Sequence, residues 1–275
     1  MMAKNILLTG EFMNNKIINA IKNDEFIVYL QSKHNILDSS IVGAEALVRW
    51  QHEDNLITPD RFIVLAEDLN IISNIDKFVF ETLCKYINIR KRSHLPNIPF
   101  SCNASLQSLL NEDYLNHIKT CIHKYNISSN EIEIEITERS KFTEFEQVTN
   151  NIKSLRKLGI MFALDDFCNA YSVIKCLALP VNTLKIDGDF INKETHTYEN
   201  KKIILKHLVN LANNLKLNII AEGVENLSHI ELLKSAGCLY AQGYYYGKPT
   251  YMKNFHNQYS KQLCKSYKTY NDYSV

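Results

Sequence analysis

Short apolar runs alternate along the chain with longer stretches in which apolar residues return every three or four positions. The short runs are FIVYLQ (26–31), IVGAEALVR (41–49), PFSCNAS (99–105), EIEIEIT (131–137), IMFALDD (160–166), TLKID (183–187), NIIAEGV (218–224) and YAQGYYY (240–246). Their length and their Ile, Val, Phe and Tyr content predict strands. The longer stretches, 59–70, 74–92, 112–125, 144–157, 200–215 and 226–236, predict helices. In the fifth of these, Ile203, Leu205, Leu208, Leu211 and Leu215 fall near helical spacing. Gly159 and Gly237 follow predicted helices and suit C-caps.

Residues 32–40 are a short connection between the first two runs and suit a hairpin. After them strand and helix alternate. Eight strands with helical crossovers predict an α/β fold, a (β/α)8 TIM-like barrel with an antiparallel first strand. On pattern alone, a doubly wound open sheet satisfies the same alternation. No internal repeat and no Pro/Gly/Ser linker divides the chain. Residues 1–20 are expected to be an N-terminal appendage, 21–252 the domain, and 253–275 a polar C-terminal tail.

Composition narrows the class without naming a reaction. With 275 residues, 45% hydrophobic and 22% charged, the chain is long enough for a core that needs no disulfides. Lys and Arg number 31 against 30 Asp and Glu, so no global field favours a nucleic acid polymer. The seven cysteines, Cys84, Cys102, Cys121, Cys168, Cys176, Cys238 and Cys264, are odd in number and contain no C-x-x-C. They predict reduced thiols, not a disulfide framework or a zinc ribbon. No signal-peptide core and no membrane-length apolar run occurs, so the expected setting is cytoplasmic.

The strand ends carry the chemistry. The predicted strands finish in Glu45, Asn103, Glu135, Asp165–Asp166, Lys185–Asp187, Glu222 and Gln242. In a barrel, all parallel strands end on the rim where active sites lie. One such acid is commonly a helix N-cap, and Asp187 suits that role. Several together would repel one another and raise their pKa values. A hard cation relieves this, and an oxygen-only set fits Mg²⁺ or Mn²⁺, not zinc. Asp165 and Asp166 could share two ions, the usual device for water attack on a phosphodiester. Lys185 is placed to hold the water or a phosphate oxygen, and Glu222 to act as base.

The segment GAEALVRW (43–50) is similar to the signature of EAL domains, the bacterial phosphodiesterases of cyclic di-GMP. FIVLAE (62–67), NAS (103–105), IEITE (134–138), LDDF (164–167), LPVNTLKID (179–187), AEGVE (221–225) and QGYYYGKP (242–249) follow in family order. The resemblance implies metal-dependent hydrolysis of cyclic di-GMP to linear pGpG. It implies Glu45, Asn103, Glu135, Asp165 and Asp166 as ligands of one or two Mg²⁺ or Mn²⁺ ions. Lys185 resembles the lysine that holds the nucleophilic water, and Glu222 the proposed general base. Gln31, Arg49 and Gln242 match substrate-contacting positions, and Glu138 the residue that anchors the loop after Asp166. Glu225 matches a position behind the site. Tyr244, Tyr245 and Tyr246 are expected mainly to pack. The family pairs through helices near the loop after Asp166, which implies a homodimer.

The chain departs from the family pattern in three places. Ser32 follows Gln31 where proline is usual, and HEDNLITP (52–59) is one residue shorter than its counterpart. In the loop DDFCNAYSV (165–173), Cys168 and Ala170 stand where the family has glycine. Both lack the conformational freedom of glycine, so a slow or inactive protein, serving as a cyclic di-GMP receptor or an interaction module, is the alternative expectation.

Overall fold

The computed structural model of the chain describes residues 10–137, 144–167, 177–192 and 197–259. Eight strands close into a barrel: β1 (Phe26–Asn35), β2 (Ile41–His52), β4 (Phe100–Ala104), β5 (Ile132–Thr137), β6 (Met161–Phe167), β7 (Thr183–Ile186), β8 (Asn218–Ala221) and β9 (Tyr240–Gln242). Two short strands, β3 (Asn55–Ile57) and β10 (Thr250–Tyr251), extend the pairing of β2 and β1. β1 pairs antiparallel with both β2 and β9, while the other neighbours round the barrel are parallel. That double pairing closes the sheet and excludes the open alternative.

The strand sequences explain two unlike surfaces. In β5, Ile132, Ile134 and Ile136 alternate with Glu133 and Glu135, and all five are buried. Alternation sends the isoleucines outward under the helices and the glutamates into the lumen. Phe100 and Cys102, Phe162 and Leu164, and Leu184 and Ile186 continue the outer apolar layer. Over it lies α3 (Ile72–Arg92), which buries Ile72, Ile75, Val79, Phe80, Leu83 and Ile87 at helical spacing.

Four helices start where the sequence supplies a short polar acceptor. Asn111 accepts from the amides of Asp113 and Tyr114 and opens α5 (Glu112–Lys124), behind the short α4 (Leu106–Leu110). Thr197 and Asn226 cap the helices Tyr198–Asn214 and Leu227–Ala236 in the same way. Gly237 ends the latter at φ 82, as its position predicts.

Several boundaries differ from the sequence pattern. β2 runs on to His52, so Glu45 lies mid-strand; only its parallel pairing with β4 stops there, at Ala46. β1 extends to Asn35 and shortens the hairpin connection. The last two predicted strands end early, at Ala221 and Gln242, because a left-handed Gly223 (φ 61) and a turn at Gly243–Tyr246 break their ladders. The predicted helix 59–70 is a 3-10 turn, Pro59–Arg61, followed by α2 (Ile63–Asp68). Outside the alternating pattern, α1 (Gly10–Lys22) buries Ile17 and Ala20, and helical residues 252–259 bury Met252, Phe255 and Tyr259. Among the described residues, no helix is long and apolar enough to cross a membrane.

Candidate active site

Register and period-two alternation decide which side chains meet inside the barrel. Gln31 sits opposite Glu45, and Asn103, Glu135, Asp165 and Lys185 follow on the same inner face round the parallel strands. Asp165 and Asp166 are adjacent and would leave a regular strand on opposite faces. The β6–β7 register shifts between Leu164 and Phe167, and Asp166 adopts φ 57, a conformation aspartate tolerates better than most residues. This irregularity turns both carboxylates to the rim. Carboxylate oxygens of Asp165, Asp166 and Glu222 lie within 4.8 Å of one another. The Glu222 amide donates to the Ile186 carbonyl at 2.9 Å and fixes that residue just past β8. Glycine is required next to it: a Cβ on Gly223 would lie 2.7 Å from the Gly188 Cα.

Lys185 is the hub. Its ammonium is fully buried and pairs with Glu135, with Glu222 at 2.6 Å, with Asp165 at 3.1 Å and with Glu45 at 3.6 Å. Burial alone would lower its pKa, but these carboxylates hold it well above the usual lysine range. Glu135 is also buried, yet Lys185 and Lys33 overcome that cost and keep it ionised far below the ordinary carboxyl range. The other acids respond oppositely. Burial, reinforced by the neighbouring Glu135, pushes Glu45 up to about 7. Asp165 is raised, and Glu222 raised well above the usual value, first by burial and then by neighbouring acids.

An amide network surrounds Glu45. Asn103 Nδ2 donates to Glu45 Oε1 at 2.9 Å, and Gln242 Nε2 donates to Glu45 Oε2 at 2.6 Å. Gln242 Nε2 also reaches Gln31 Oε1 at 3.0 Å, while Gln31 Nε2 donates to the Gly247 carbonyl at 3.0 Å. Both donating amides thus spend their N–H groups on this network. Their oxygens, Asn103 Oδ1 and Gln242 Oε1, are buried with no hydrogen-bond partner among the described residues. Buried acceptors left over among acids are a poor arrangement for a protein core and a good one for a cation. Glu45, Asn103, Glu135, Asp165, Asp166 and Glu222 therefore fit a hard divalent ion. A cavity of about 350 Å³ opens beside Glu45, Asn103, Asp165 and Asp166, walled by Ile63 and Val64.

Nine of the predicted site residues thus converge: Gln31, Glu45, Asn103, Glu135, Asp165, Asp166, Lys185, Glu222 and Gln242. Arg49 stands apart. It shares the face of Glu45 four residues further along β2, about 13 Å away at strand rise. Its Nη1 donates to the Val48 carbonyl at 2.8 Å, and its guanidinium lies 5.6 Å from the centre of the Tyr29 ring. Glu225 lies outside the cluster; its amide donates to His229 Nδ1 at 3.3 Å. Glu138, Cys168 and Ala170 lie outside the described residues. Asp187 Oδ1 accepts from the Asp189 amide at 2.9 Å, the structural role its position suggested. Of the tyrosine run, Tyr246 stacks on His34 at 4.2 Å, whereas Tyr244 and Tyr245 are exposed.

Sequence reasoning missed the support beneath the cluster. Lys33 Nζ, buried, contacts Ser101 Oγ at 2.7 Å, Glu135 Oε1 at 2.8 Å and Glu133 Oε2 at 3.6 Å. Thr183 Oγ1 donates to Glu133 Oε1 at 2.6 Å. The signal was available: Lys33 is two residues from Gln31, and Glu133 two from Glu135, so each shares its partner's inner face.

The EAL domain profile matches residues 14–249. A signaling protein of Bacillus subtilis, YkoW, is 31% identical over 232 residues, covering 84% of this chain and 29% of its own length. The bifunctional diguanylate cyclase/cyclic di-GMP phosphodiesterase MucR of Pseudomonas aeruginosa is 28% identical, with 84% and 34% covered. The chain spans about a third of the length of these curated relatives. Among solved structures, the MucR phosphodiesterase in complex with c-di-GMP has a TM-score of 0.81 at 26% identity, covering 88% of this chain and 99% of that one. An EAL domain protein from Listeria monocytogenes has a TM-score of 0.79 at 28% identity, covering 90% and 97%. The matched stretch contains the whole barrel and every residue of its rim cluster, and the chain belongs to the EAL domain family.

Proposed function

We propose that the chain hydrolyses one phosphodiester bond of cyclic di-GMP to linear pGpG, with one or two Mg²⁺ or Mn²⁺ ions held by Glu45, Asn103, Glu135, Asp165 and Asp166. The observation that carries this reading is the surplus of buried acceptors at the barrel mouth, where five carboxylates meet two amide oxygens that have no donor among the described residues. A relative described as a cyclic di-GMP phosphodiesterase, and its structure with that nucleotide, support the choice of substrate.

Bound there, a divalent ion would supply Lewis acidity toward a phosphoryl oxygen and lower the pKa of water. The side chains do the rest. Lys185, fixed by four carboxylates, positions the attacking water. Glu222 at the rim takes its proton. The water oxygen bonds to phosphorus, the bond to the ribose 3′ oxygen breaks, and that oxygen leaves with a proton taken from solvent. Gln31 and Gln242 hold Glu45 in place and meet the substrate above it. Arg49, further out on the same face of β2, pairs with a phosphate oxygen. No covalent intermediate is needed, because positioning and charge supply the catalysis.

Turnover of cyclic di-GMP with Mg²⁺ and Mn²⁺, measured alongside nucleotide affinity, tests the proposal. Release of pGpG supports it. Binding without release indicates a receptor, and neither indicates an interaction scaffold. The same reading includes a homodimer paired near the loop after Asp166. Sedimentation should then show a mass that rises with concentration to that of two chains, and a constant monomer would count against it.

A further inference from the structure

A second group of metal-ligating side chains lies away from the barrel mouth, on the outer helical layer. His117 and Cys121 are four residues apart on α5 and so share one helical face. Glu81 faces them from the neighbouring α3. Cys121 Sγ lies 3.4 Å from His117 Nε2, and His117 Nε2 lies 3.8 Å from Glu81 Oε2. One ligand atom from each of the three falls within 4.8 Å of the others.

Those separations have a meaning. A tetrahedral zinc ion with ordinary Zn–S, Zn–N and Zn–O lengths sets its sulfur and nitrogen ligands about 3.6 Å apart, and nitrogen and oxygen about 3.4 Å apart. The Glu81 carboxylate is also divided between two tasks. Its Oε1 is held by Tyr125 Oη at 2.7 Å, Lys124 Nζ at 3.2 Å and Lys85 Nζ at 3.4 Å. These contacts fix the carboxylate while Oε2 turns toward His117. Partners behind a ligand commonly orient it in this way. Cys121 is buried, whereas the side chains of His117 and Glu81 are each 25% exposed, so an ion can enter from solvent.

We propose that Glu81, His117 and Cys121 form a binding site for Zn²⁺ or a similar thiophilic divalent ion, with water in the fourth position. Thiolate and imidazole select this class of ion, and Mg²⁺ and Mn²⁺ prefer the all-oxygen set in the barrel. Binding replaces the thiol proton: the Cys121 sulfur bonds to the metal and one proton passes to solvent. The site does not depend on cyclic di-GMP hydrolysis.

Cobalt(II) is the probe, because a thiolate–cobalt bond gives a near-ultraviolet charge-transfer band that oxygen ligands cannot produce. The full chain, kept reduced with a phosphine, is titrated with Co²⁺ in the presence of excess Mg²⁺. One equivalent should raise the band together with the visible bands of a tetrahedral ion, and Zn²⁺ should then abolish both. Cys121→Ser should remove the charge-transfer band. His117→Gln, at a partly exposed position, keeps the test valid if the cysteine variant folds poorly, and it should weaken Co²⁺ binding. Absence of the band in the wild-type chain would overturn the proposal. So would a band of full strength in both variants, which would place the thiolate elsewhere.

Discussion

The two ends of the barrel lumen are built from the same residue types and treat them differently. At the base, Lys33, Ser101, Glu133 and Thr183 pair with one another, and their polar atoms find partners. At the mouth, Glu45, Glu135, Asp165 and Glu222 crowd round Lys185, Asp166 lies beside Asp165 and Glu222, and Asn103 Oδ1 and Gln242 Oε1 are left without a partner among the described residues. The base is a closed network of the sort that fixes a structure. The mouth is an incomplete one, and its missing element is positive charge. An incomplete polar network inside an otherwise consistent fold is where function is to be sought.

The largest effect expected from this contrast is at the mouth. Glu45→Gln should lower pGpG formation by at least about 100-fold, a loss of about 2.7 kcal/mol in transition-state stabilisation. The fold should survive, and the circular dichroism should match that of the wild type. Comparable turnover in the variant would remove Glu45 from the chemistry.

At the base the effect should fall on stability. Lys33→Met leaves Glu133 and Glu135 short of their shared cation, and breaking a buried pair in this way costs about 3–5 kcal/mol. Urea unfolding should show the loss as a lower midpoint. An unchanged midpoint would mean that the base network does not hold the barrel together.

Asp76 sharpens the comparison as a buried acid outside both networks. It accepts from the Ser105 amide at 3.0 Å and from Ser108 Oγ at 2.6 Å, and burial pushes it from 3.8 up to about 6. Between these values the folded chain binds more protons than the unfolded one. Its contribution therefore favours folding at low pH and is lost as pH rises to about 6. Asp76→Asn should remove that slope and stabilise the protein by up to about 3 kcal/mol above pH 6. Parallel denaturation curves of the two proteins from pH 4 to 8 check this; an unchanged difference across the range would contradict it.

The smallest effect concerns the mouth again, now in stability. The raised pKa of Glu45 shows that its ionised form is disfavoured where it sits. Glu45→Gln, made to abolish activity, should raise the melting temperature in the absence of metal by an amount equivalent to about 1 kcal/mol. Asn103 and Gln242 both present N–H groups to Glu45, so the new amide N–H donates to one of their oxygens once that amide turns over. A lower melting temperature would mean that the acid cluster is not strained.

The sequence made the barrel legible because strand length, helical spacing and cap residues all agreed. The alternation in EIEIEIT even separated lumen from jacket, although polar alternation by itself reads equally as a solvent face. Strand ends were less legible. The extension of β2 to His52 depends on its antiparallel neighbours β1 and β3, which no local pattern in 41–52 announces. The acids of the mouth were legible as a set because each falls within or at the end of a successive apolar run, although Glu45 proves to lie mid-strand. Lys33 carried the same period-two signal from Gln31, but it went unread because a lysine in a strand looks like a surface residue until the barrel closes round it. Cys121 and His117 were likewise hidden, since their partner Glu81 comes from another helix.

The account stands most directly on divalent-ion binding at the mouth. Titration of the chain with Mn²⁺, followed by the loss of the free-ion electron paramagnetic resonance signal, should show one or two equivalents bound by the wild type and by Lys33→Met, provided the latter is folded. Binding should be greatly weakened in Glu45→Gln. Equal Mn²⁺ binding by wild type and Glu45→Gln would contradict the assignment of the acceptor surplus to a metal.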